Sequence, residues 1–258
     1  MEDMVYYAKR FSNFKESSDR PMIKKYKTVY LLLGILVMTG FYKSVIHLVC
    51  PELSFYPAKL IEEALQAITV IAFISWKKLW GNVGVLTKVN RKSILFMLPI
   101  IIVSFMPMVS QRLKTDQLVE IVMIAVISLL IGFSEEMSCR GVLLQELKHL
   151  GKASSIITSS VIFGCLHMLN LLKGVDIGST IIQIIFAVGF GLTMAIVRYE
   201  TSFILPQILV HALWDFNSKI SDDTNLSARL ELLIWLSLVI VVLWGIFLYI
   251  RKRRDRLI

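Results

Sequence analysis

Long runs of apolar residues, broken by short polar stretches, set the pattern of this chain. Eight runs stand out, at about 28–49, 60–78, 93–110, 118–146, 153–172, 178–198, 202–218 and 230–250. Each approaches the ~20 residues that carry an α-helix across the hydrocarbon core of a bilayer. Backbone in lipid must satisfy its own hydrogen bonds, so the runs predict helices. The fold class that follows is all-α: a polytopic transmembrane bundle of about eight spans. The second run is the weakest, because Glu62, Glu63 and Gln66 fall in its first turns. The seventh is short and contains Pro206, which predicts a bend.

Composition agrees with the pattern. Of 258 residues, 56% are hydrophobic, and the mean hydropathy is +0.69. A soluble domain sits near ~45–50% apolar. The expected organisation is an N-terminal cytoplasmic segment at 1–27, a membrane domain at 28–250 and a basic cytoplasmic tail at 251–258. Residues 1–27 are polar and mixed in charge, unlike a signal peptide. Cys50, Cys139 and Cys165 have no paired spacing and read as buried small apolar residues.

The net charge of +9 raises the question of nucleic acid, and its distribution answers it. Seven basic residues lie in 1–27, five in "RKRRDR" at 251–256, and Lys77, Lys78, Lys88, Arg91 and Lys92 share one loop. That clustering is what the positive-inside rule expects of cytoplasmic segments. No nucleic-acid partner is expected. Both termini are expected inside, together with 77–92, 148–152 and Arg198, while 51–59, 111–117, 173–177 and 219–229 form outer loops. The implied localisation is multi-pass, in a cell membrane.

Ionisable residues inside spans are functional candidates by default, because burying them in lipid is costly. The fourth run holds Glu135, Glu136 and Arg140, the fifth holds His167, and the seventh holds His211 and Asp215. At ~1.5 Å per residue, these groups lie at similar depths, roughly 15–22 Å from the inner ends of their helices. That coincidence predicts one shared site, open to the cytoplasmic side. Glu136 and Arg140 are spaced to pair on one helix face. Glu135, about 100° round the helix, is then free to face a cavity. His211 and Asp215 share the same spacing, so Asp215 is expected to orient the His211 ring or to bind beside it. Phe163, one turn before His167, is placed to pack on that ring.

Two chemistries fit this set. In one, Glu135 is a general base that works with His167 to activate water against a peptide carbonyl. His211 and Asp215 then stabilise the oxyanion or bind the substrate backbone. In the other, His167, His211 and a carboxylate hold zinc. The single-helix HExxH signature of zinc proteases is absent, so a site without tightly bound metal is favoured.

At these residues the sequence resembles the CPBP family: the CAAX proteases and bacteriocin-processing enzymes, also called the Abi family of intramembrane proteases. That family's pattern is EExxxR, then FxxxH, then HxxxN or HxxxD, on separate transmembrane helices. Here "EEMSCR" spans Glu135 to Arg140, "FGCLH" spans Phe163 to His167, and "HALWD" spans His211 to Asp215. The resemblance covers about 118–218. It implies that Glu135 is the catalytic glutamate, His167 its partner, and His211 with Asp215 the oxyanion or ligand pair. Glu136, Arg140 and Phe163 would support them. The eukaryotic CAAX enzymes carry Asn at the last position, so Asp215 is similar to the prokaryotic branch. That implies a bacterial plasma membrane and a membrane-associated peptide or protein substrate, as in bacteriocin or pheromone maturation or self-immunity. Two other functions use similar residues: a membrane partner that regulates a sensor or immunity target without catalysis, and an ion-coupled transporter. The second usually shows repeated halves, and no repeat is visible here.

Overall fold

The computed structural model describes residues 27–87, 91–106, 113–221, 236, 239–248 and 250. Eight helices coincide with the eight apolar runs: α1 (Lys27–Val49), α2 (Phe55–Trp76), α3 (Arg91–Ser104), α4 (Leu118–Glu136), α5 (Lys152–Leu166), α6 (Ile177–Thr201), α7 (Leu205–Ile220) and α8 (Val239–Leu248). Helix α4 runs on without a break through a π-helical stretch, Met137–Leu143, and ends in a 3₁₀ turn at Leu147–Leu150. Helix α5 continues as the 3₁₀ helix His167–Lys173. Among the described residues no strand forms beyond one isolated bridge, Leu113 to Ser221, so the molecule is an all-α helical membrane protein.

Four helical segments are long and apolar enough to cross a membrane: Lys27–Val49, Leu118–Leu150, Lys152–Leu171 and Ile177–Thr201. The other four fall short for reasons visible in the sequence. Helix α2 carries Lys59, Glu62 and Glu63, and α3 has 14 residues with Pro99 inside. Helix α7 has 16 residues, and α8 is a short apolar helix. The expected tails at 1–26 and 251–258 lie outside the described residues.

Two local expectations change. Helix α2 starts at Phe55 rather than at 60, with Pro57 in its first turn, where a missing N–H costs nothing. Pro206 likewise occupies the first turn of α7, so it starts the helix instead of bending it. Of the cysteines, only Cys139 is buried, and Cys50 and Cys165 are exposed.

The bundle is held at both ends. At one end the loop after α2 meets the loop before α7. Arg198 Nη2 donates to the Asn82 carbonyl at 2.8 Å, Thr87 Oγ1 donates to the Ser202 carbonyl at 3.0 Å, and Lys152 pairs with Glu200. Gly84 sits there at φ +89°, and a Cβ on it would stand 2.5 Å from Ser202 O, so only glycine fits. Among the described residues, Lys77, Lys148, Lys152 and Arg198 lie toward this one end. At the other end Lys114 N donates to Ile220 O at 2.8 Å. Helix α8 docks through Trp244 Nε1 on Phe96 O at 2.7 Å and Val241 O on Thr193 Oγ1 at 3.0 Å.

The packing of α4 against α7 matters most for function. Gly132 makes it possible, because a Cβ there would lie 2.8 Å from Ile208 O and 3.0 Å from Ala212 N. Small residues at such crossings let helix backbones approach closely in a membrane protein. Gly132 is one turn from Glu135 and Glu136, and Ala212 adjoins His211.

Candidate active site

Close approach of α4 and α7 places His211 over the paired glutamates. Glu136 is fully buried, and its Oε1 lies 3.0 Å from Arg140 Nη1 and 2.9 Å from His211 Nδ1. The Arg140 guanidinium stacks on the Phe163 ring, with Cζ 4.1 Å from its centroid, a favourable cation–π geometry. The expected Glu136–Arg140 pair is present, and Glu136 does more than balance it. An ionised carboxylate can only accept, so His211 carries its proton on Nδ1 and donates it to Glu136. That leaves Nε2 facing outward, 3.6 Å from Glu135 Oε2 and 4.0 Å from Asp215 Oδ1.

The group that orients His211 is therefore Glu136, not Asp215 as the i, i+4 spacing suggested. Asp215 is held instead by Lys219, Oδ2 to Nζ 2.5 Å, one turn further along α7. Its other oxygen, Oδ1, stays turned toward His211 Nε2 at 4.0 Å.

His167 sits at the C-terminus of α5, where the helix tightens to 3₁₀. Its Nδ1 lies 3.2 Å from the Phe163 carbonyl, an acceptor, so the ring donates there and turns Nε2 away. Phe163 packs edge-on against both imidazoles, 5.3 Å from the His167 ring and 6.0 Å from the His211 ring. One phenyl ring thus spaces two histidines and carries the guanidinium on its face.

Glu135, His167, His211 and Asp215 all line one cavity of about 320 Å³. Lys59, Glu62, Glu63 and Gln66 of α2 form another wall, and Lys219 also contributes. Pattern reading treated the α2 residues only as a weakness of the second span. Their signal was present, since buried ionisable residues in an apolar helix mark function by default.

The lining residues run from mid-helix, at Gln66, Phe163 and His211, toward the ends that carry Lys59, Asn170 and Lys219. Those ends adjoin the loops assigned to the outer side, opposite the basic segments at 77–87 and 148–152. A cavity open to the cytoplasm and cytoplasmic basic loops therefore do not fit together. Depth along a helix fixes how far a group lies from each end, and says nothing of which way the space beside it opens.

Among the described residues no group of three His, Cys, Asp or Glu side chains is placed to share a metal ion. His211 and His167 each engage Nδ1 in a hydrogen bond, which leaves both Nε2 atoms available. The donors do not converge as a three-ligand zinc site requires, and no step below passes through a metal.

Helices α4, α5 and α7 thus bury a Glu–Arg–His network beneath a polar cavity. Residues 117–217 match the family model described as Rce1-like, type II CAAX prenyl endopeptidase. This segment is therefore similar to a family of proteases, the likeness that the three motifs carry. No curated protein and no solved structure matches the chain.

Proposed function

We propose that the chain is an intramembrane endopeptidase that hydrolyses a peptide bond in a membrane-associated peptide or protein. The observation that carries this reading is the exposure of Glu135 and His211 Nε2 to one cavity, 3.6 Å apart, with His211 anchored from behind by buried Glu136.

Glu135 takes a proton from water as its oxygen attacks the scissile carbonyl carbon. His167 Nε2 accepts the second water hydrogen and holds the nucleophile in place. The carbonyl oxygen becomes an oxyanion and meets the Nε2–H of His211 in its protonated form, whose charge Glu136 balances. The tetrahedral intermediate then collapses: the C–N bond breaks, and Glu135 returns its proton to the leaving nitrogen. Asp215, ionised beside Lys219, is an acceptor for a substrate backbone N–H. The Glu136–Arg140 pair and Phe163 keep both imidazoles in position.

The substrates that suit such a cavity are bacteriocin or pheromone precursors, or an immunity target, in a bacterial plasma membrane. Glu135→Ala and His167→Ala should each abolish cleavage of a labelled membrane peptide while expression and insertion stay normal. They belong to one proton-transfer unit, so the double variant should be scarcely worse than either single one. Full biological activity in Glu135→Ala would replace the protease with a binding partner that regulates its target without catalysis.

A further inference from the structure

The α2 wall of the cavity has no part in the mechanism above. Lys59 Nζ lies 2.9 Å from Glu62 Oε1 and 2.7 Å from Glu63 Oε1. One lysine thus serves two carboxylates whose side chains are only 6% and 8% exposed. Across the cavity Lys219 is matched one to one by Asp215. With the lysines paired off, the cavity keeps an excess of negative charge on α2, in addition to Glu135. Buried carboxylates without full compensation are costly, so the site favours an incoming cation.

A second observation points the same way. Ser134 and Gln66 are each 2% exposed and line the same cavity. Ser134 Oγ and Gln66 Oε1 have no hydrogen-bond partner within the protein. The Gln66 amide is fixed by its Nε2 on the Ile35 carbonyl at 3.1 Å, which leaves Oε1 as a spare acceptor. Buried polar atoms without partners are rare and costly, and a donor-rich ligand would satisfy these two.

We propose, resting on the endopeptidase reading, that Glu62, Glu63 and Gln66 form a subsite for a lysine or arginine side chain of the substrate, beside the bond attacked by the water that Glu135 activates. Guanidinium supplies the charge for the carboxylates and spare N–H groups for the two neutral acceptors.

Binding separates this proposal from the chemistry. The full chain as Glu135→Gln, in nanodiscs, is titrated with two end-capped fluorescent peptides of leucine and alanine, identical except that one carries arginine and the other citrulline. The arginine peptide should bind at least about tenfold more tightly, the scale of hydrogen bonds to a charged group. Glu63→Gln leaves Lys59 and Glu62 as a matched pair, so the fold is kept, and it should remove most of that preference without changing citrulline binding. Lys59→Gln, which frees both carboxylates, should increase the preference. Equal binding of the two peptides, or a preference that survives Glu63→Gln, would overturn the subsite. Neither readout requires cleavage, so failure of the protease reading would be seen separately, as the absence of hydrolysis by the wild-type chain.

Discussion

Helices α2 and α4 each carry two adjacent glutamates and one cation, yet they handle the charges differently. On α2 the lysine precedes the pair, at three and four residues' distance, and bonds both Glu62 and Glu63. On α4 the arginine follows the pair, at four and five residues' distance, and bonds Glu136 alone. Positions three and four apart share a helix face and positions five apart do not. One residue of spacing therefore decides whether a cation is shared by both carboxylates or bonds one and leaves the other free. The free one on α4 is Glu135, and α7 brings a histidine to it. Burial differs as well: Arg140 is 1% exposed, Lys59 23%.

The sharpest contrast between these walls is all or none. Lys59→Cys and Lys219→Cys at the cavity mouth should react with a membrane-impermeant maleimide from one side of a sealed vesicle. A cysteine at Lys77 or Lys148 should react only from the other. Labelling of all four from one side would refute the cavity's direction.

Arg140→Ala should cost about 3–5 kcal/mol of stability, because it strands a buried carboxylate and strips the guanidinium from Phe163. Lys59→Ala should cost less, roughly 1–2 kcal/mol, because Lys59 is 23% exposed and its loss opens its two partners to the cavity. Thermal unfolding of both variants in one detergent makes the comparison, and equal losses would erase the distinction between the walls. Gly132→Ala should cost about 1–3 kcal/mol by forcing α7 off α4. Activity should fall more than stability alone explains, since His211 withdraws from both glutamates. The smallest effect belongs to Asp215→Asn. Its partner is Lys219 rather than His211, so cleavage should change by roughly fivefold or less. A loss as large as that of Glu135→Ala would return Asp215 to the reacting centre.

How much of this was legible in the sequence follows from the range of each contact. The apolar runs set the eight helices, because helix hydrogen bonds are local. Glu136 with Arg140 and Phe163 with His167 were legible for the same reason, each lying one turn apart. His211 with Glu136 was not, since 75 residues separate them and their meeting depends on the missing side chain of Gly132. Asp215 was given the orienting role because it is one turn from His211, but Lys219 is one turn from it on the other side. The α2 wall was overlooked because its charges looked like a defect in a span. The π-helical stretch through Arg140 left no mark in a pattern that repeats with the ordinary helical period.

Hydrolysis of a quenched fluorescent membrane peptide by the purified full chain in nanodiscs tests the role of Glu135 most directly. The wild type, Glu135→Gln and its counterpart on the other wall, Glu63→Gln, are measured side by side on a peptide without lysine or arginine. Glu135→Gln should fall by about a thousandfold or more, with unfolding unchanged, while Glu63→Gln stays close to wild type. Hydrolysis that persists in Glu135→Gln would contradict the assignment of Glu135 as the base.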